Sequence, residues 1–137
     1  MSAIYTTTKS PFATGTGTAV TAEQDIPVPS NAHELVATRG HAVATQGDPA
    51  ESIIGVFKIA GDDFKNNPLE WFSEIGCGKV GAVDQVGYFM EPRWWRCNLP
   101  VIPNSTLKLT YEPLDALANN GQASAEFRWS NAPTGIA

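Results

Sequence analysis

A chain of 137 residues is long enough to build one domain around its own apolar core, with no metal or disulfide required for folding. Charged residues make up only 17% of it, against the usual ~25%, and the net charge is −5. Nine basic residues are scattered among fourteen acidic ones, and Lys9 stands alone among the first 32, so the phosphate contacts that drive nucleic-acid binding have no source.

Thr, Ala, Gly, Pro, Ser and Asn take the place of charge. Such a surface costs little to desolvate and suits packing against other subunits. No run of ~20 apolar residues is present, so no membrane span is expected. Met1–Lys9 lacks a charged stretch followed by an apolar one, so no secretory signal is expected.

Residues 1–18 are rich in Thr, Ser and Gly and hold too little apolar surface to fold alone. Ile4, Tyr5 and Phe12 are spaced anchors within them. The segment is either an extended arm laid over a neighbouring subunit or a frayed terminus. Ala19–Val28 reads as a strand at an edge or corner, because Pro27 and Pro29 each remove a ladder donor. His33–Thr45 reads as a long strand with Gly40 as a bulge or bend. Gln46–Ala50 is turn chemistry, and Ser52–Ala60, apolar on both faces, reads as a central strand.

Asn67-Pro68-Leu69-Glu70 has the form of a helix start: Asn caps, Pro fits the first position and Glu the third. Leu69, Phe72 and Ile75 would share one side of a short helix near 68–75, ended by Gly76. Lys79–Met90 reads as one strand broken by Pro92, and Arg93–Cys97 as a short strand whose two tryptophans face opposite ways. Pro100 and Pro103 bracket the approach to the last pair of strands. There Leu107, Leu109 and Tyr111, and then Ala123, Ala125, Phe127 and Trp129, alternate with polar neighbours. A period of two in successive segments predicts an antiparallel sheet with one wet face.

These elements predict an all-β, single-domain sandwich of two sheets, seven or eight antiparallel strands and one short helix. The arm would cover 1–18, the sandwich 19–131 and a tail 132–137. The long excursion between the strands near 60 and 80 favours a jelly roll over a meander.

The chemistry-bearing residues point to no reaction, and neither an enzyme nor a cofactor is expected. His33 and Glu34 point apart on a strand, and His41 lies roughly 27 Å from His33 at ~3.4 Å per residue, so a metal site is not expected. Asp62, Asp63, Glu70 and Glu74 fit turn and surface positions better than a hydrolytic carboxylate pair. Ser52, Ser73 and Ser105 lack a nucleophile context, and Gly76-Cys77-Gly78-Lys79 lacks the full phosphate-loop spacing. Asn104-Ser105-Thr106 matches a glycosylation acceptor, in a turn. Cys77 and Cys97 are either two free thiols or a bridge closing a loop of about 20 residues, worth ~3 kcal/mol.

Arg93-Trp94-Trp95-Arg96 is the most informative cluster. An outward Trp flanked by arginines covers its own sheet, anchors a subunit interface or forms a ligand platform; Trp and Arg are favoured interface anchors.

Ile26-Pro27-Val28-Pro29 and Leu99-Pro100-Val101-Ile102-Pro103-Asn104-Ser105 share a cadence of apolar-Pro turn, small polar residue and alternating strand. With the Thr-rich arm, this resembles the small jelly-roll capsid and capsid-decoration proteins of double-stranded-DNA viruses, over residues 19–130. The resemblance implies a virion component that works by contact with its own copies and other capsid proteins, without catalysis. Trp94, Trp95, Arg93, Arg96, Ile4, Tyr5 and Phe12 are then the candidate interface residues. A carbohydrate-binding module is the alternative, and would need aromatics aligned on one exposed face.

Overall fold

The computed structural model describes residues 4–44, 55–61, 68–73, 77–80, 83–86, 94–114 and 121–131. Within them lie ten strands: β1 (Ile4–Ala13), β2 (Gln24–Pro27), β3 (Glu34–Ala44), β4 (Gly55–Ala60), β5 (Leu69–Phe72), β6 (Cys77–Val80), β7 (Val83–Val86), β8 (Trp95–Pro100), β9 (Thr106–Pro113) and β10 (Gly121–Ser130). They form two antiparallel sheets, ordered β1-β10-β3-β8 and β2-β9-β4-β5-β6-β7.

The pairs β1·β10, β2·β9 and β3·β8 nest inside one another and alternate between the sheets. The chain thus runs as a long hairpin folded over two layers, an order compatible with a jelly roll.

The alternation seen in the sequence sets which side chains meet. Leu107, Leu109 and Tyr111 of β9, and Ala123, Ala125, Phe127 and Trp129 of β10, all point inward and are buried. Rings link the layers. Tyr111 packs on Phe57 with centroids 4.7 Å apart, Phe57 stacks on Trp71 at 5.4 Å, and Trp71 meets Phe127 of the opposite sheet edge-on at 6.1 Å. Phe127 lies 5.9 Å from Trp129. Each such contact adds roughly 0.5–1.5 kcal/mol to the burial of the rings.

Several expected elements take another form. The described part of the proposed helix near 68–75 is strand β5. Leu69 and Trp71 are fully buried while Glu70 and Phe72 face outward, so a period of two fills the core. A helical face joining Leu69 to Phe72 would leave Trp71 outside it.

Lys79–Met90 is not one strand. β6 and β7 fold back on each other with Val80 opposite Val83, and residues 87–90 lie outside the described residues. Among the described residues the strand count is therefore ten, above the seven or eight expected.

Gly40 is not a bulge either: it pairs in unbroken register with Ala125. A Cβ there would lie 2.4 Å from the Phe57 ring, so its smallness serves the approach of the two sheets. The break in β3 falls between Leu35 and Ala37, leaving Val36 without a partner on β10.

Two expectations keep their form. β2, with Pro27 inside it, is an edge strand, and β4 lies in the interior of its sheet.

Candidate interaction surfaces

The break at Val36 prepares the outer face of the four-stranded sheet. Val36 and Ala37 are buried there with Trp94 in a small apolar cluster separate from the main core. Trp94 is 3% exposed, and the guanidinium carbons of Arg39 and Arg128 lie 4.5 and 4.0 Å from its ring centroid. Arg39 is fixed in turn by both carboxylate oxygens of Glu126, at 3.1 Å each. Partly buried cation–π contacts of this kind contribute about 0.5–2 kcal/mol.

Trp95 points the other way and is fully buried in the core. The two tryptophans do face opposite sides, but the outward one covers its own sheet. Arg96 is half-buried opposite Ala37, and Arg93 lies outside the described residues. Arg39 and Arg128 were missed from sequence. The signal lay in the alternation of β10, which puts Glu126 and Arg128 on its polar face.

Residues 1–18, set apart in the sequence as an arm, contain β1, which pairs with β10 of the same chain. Phe12 is buried in the core, and Tyr5 packs against it from the rim. The Tyr5 hydroxyl donates to Asn31 Oδ1, and its pKa is raised by burial. Ile4 is 54% exposed. On the inward side of β1, Thr7 Oγ1 accepts a 2.7 Å hydrogen bond from Trp129 Nε1. Among the described residues no strand pairs with the other side of β1, which is a free sheet edge.

The residues with reactive side chains are dispersed. No group of three or more His, Cys, Asp or Glu side chains among the described residues is placed to hold a metal ion. His33, immediately before β3, and His41, within it, are both exposed. Ser124 Oγ lies 3.3 Å from His41 Nδ1 on an exposed sheet face, beside a shallow cleft lined also by Arg39, Gly40 and Glu126.

Ser73 Oγ accepts from Gly55 N at 3.0 Å, and Ser105 Oγ donates to Ile102 O at 2.7 Å; both hydroxyls serve local structure. Asn104 has φ 66°, the left-handed conformation a tight turn needs. Glu70 is half-buried on the outer face of β5, while Ser52, Asp62, Asp63, Glu74 and Gly76 lie outside the described residues.

The side chain of Cys77 lies outside the described residues, and Cys97 is a free thiol. Its Sγ donates to Leu35 O at 3.4 Å, and burial pushes its pKa up. The long apolar helix that would cross a membrane is absent among the described residues.

The arrangement is therefore one of surfaces: a sealed aromatic core, an arginine-covered outer Trp and a free Thr-rich edge. In comparisons with protein-family models, curated proteins and solved structures, nothing matches the chain.

Proposed function

We propose that the protein is a structural subunit of a virus particle, a small capsid or capsid-decoration protein acting through contacts with its own copies and with other shell proteins. The observation that carries the reading is the β1 edge: an ordered, uncharged strand segment, Ile4–Thr8, on the rim of a rigid two-layer body. A shell subunit needs a body that does not deform and a rim that adheres, and the weakly polar composition serves the second need. The carbohydrate-binding alternative has less support among the described residues. Trp94 lies beneath two guanidinium groups, and among the described residues Phe72 is the only exposed ring.

The test is the mass of the native protein in solution. Sedimentation and light scattering should give a trimer, a pentamer or a larger assembly. A strictly monomeric species at high concentration would count decisively against the reading.

A further inference from the structure

We infer that β1 is a two-fold joint. Two copies pair antiparallel along Ile4–Thr8, centred on Thr6, and two four-stranded sheets become one of eight strands. The inference rests on the assembly reading above and specifies how the contact is made.

A strand at a sheet edge offers a row of unpaired N–H and C=O groups, and proteins blunt such edges with proline, charge, bulges or shortness. Among the described residues the two sheets end on four strands: β1, β8, β2 and β7. β2 is four residues long and includes Pro27 and the ion-paired Asp25. β8 carries a register break, Asn98 at φ 46°, and Pro100 at its end. β7 is four residues long and contains Asp84.

β1 has guards too, but only in its second half. Lys9, Pro11 and the register shift between Lys9 and Phe12 all lie there. Ile4–Thr8 has no charge, no proline and no bulge, and runs in continuous register against β10, from Ile4 opposite Ser130 to Thr8 opposite Glu126. The Trp129–Thr7 and Tyr5–Asn31 hydrogen bonds hold this half in place.

Antiparallel pairing about Thr6 sets Ile4 against the partner's Thr8 and Tyr5 against the partner's Thr7. No like charges meet, and β-branched residues suit the pairing. A two-fold contact uses the same patch twice, which this segment permits. Beside the edge, between β1 and β2, lies a cleft of about 370 Å³ that reaches the apolar Ile26, Pro27 and Phe127. A strand added to β1 would roof this cleft and bury more apolar surface.

Thr6 is exposed and stands opposite Arg128, so Thr6→Glu places a carboxylate beside a guanidinium within one copy. At the two-fold it sets two carboxylates face to face. The sedimentation mass of T6E should fall to half the wild-type mass or less, with its denaturation midpoint at low concentration unchanged. T6K should behave likewise in mass, and an equimolar mixture of T6E and T6K should regain the wild-type mass, a rescue that two unfolded chains would not provide.

Wild-type mass in T6E, or no recovery in the mixture, overturns the β1 joint and leaves the assembly reading in place. A wild-type protein that is monomeric at every concentration overturns both.

Discussion

Trp129 of β10 gives its indole proton to the hydroxyl of Thr7 on β1, 2.7 Å away. Trp129 is fully buried, so Thr7 supplies a polar partner that water does not. Thr7→Val keeps the shape and deletes the acceptor. The variant should lose about 1–3 kcal/mol of unfolding free energy, the cost of an unsatisfied buried donor. Thr7→Ser should lose much less. Urea denaturation followed by Trp fluorescence separates the two.

Gly40 faces the Phe57 ring across the sandwich. Gly40→Ala puts a methyl 2.4 Å from Phe57 Cε2, inside contact distance, and the ring is too enclosed to yield freely. A loss of about 1–3 kcal/mol is expected, typical of overpacking. Phe57→Leu in the same chain should relieve part of it, so the double variant should be more stable than the sum of the single losses predicts. Strict additivity would show that the clash is absorbed elsewhere.

Trp94, Arg39 and Arg128 form one stack on the outer face. Trp94→Ala should cost about 3 kcal/mol, the low end for removing a buried Trp. Arg128→Ala should cost about 1 kcal/mol in the native background and close to nothing once Trp94 is gone, as expected of a cation–π partner. A double-mutant cycle by chemical denaturation measures the coupling.

The exposed Asp25–Lys108 pair ties β2 to β9. The hydrogen bond and charge of Lys108 hold the Asp25 carboxyl below its ordinary 3.8. That contribution is present above pH 3.8 and disappears as pH falls through the lower, folded-state value. Asp25 raises Lys108 above its ordinary 10.5, so this contribution is complete below pH 10.5 and fades as pH rises through the folded value. Asp25→Asn should flatten both limbs of a stability–pH curve, and high salt should do the same to the native protein.

Cys97 should resist thiol reagents. Its proton is held by burial and its Sγ is turned to the Leu35 carbonyl, so little thiolate exists at neutral pH. Labelling of Cys97 in the folded protein, followed by peptide mass analysis, should be slow and should accelerate sharply in denaturant.

The last two long strands were legible because each has one dry face and one wet face, and a period of two records that directly. The same rule, applied to Leu69 and Trp71, would have found β5. The Asn-Pro-Leu-Glu opening instead favoured a helix, since local start signals say nothing about which core the segment must fill. Gly40 suggests a bulge or bend from sequence because inter-sheet distance is not written in neighbouring residues. It depends on Phe57, seventeen positions away by number. The Arg93–Arg96 cluster pointed to the right tryptophan but not to its cover, which comes from Arg39 and Arg128 on other strands.

The nested pairing also has a consequence for synthesis. β1 finds its partner in β10, so the first of the described strands to be made waits for the last before it can settle. Until Gly121–Ser130 emerges, Ile4–Thr8 has no rigid backing and presents no template. Any contact made through this edge is thereby postponed until β10 is in place.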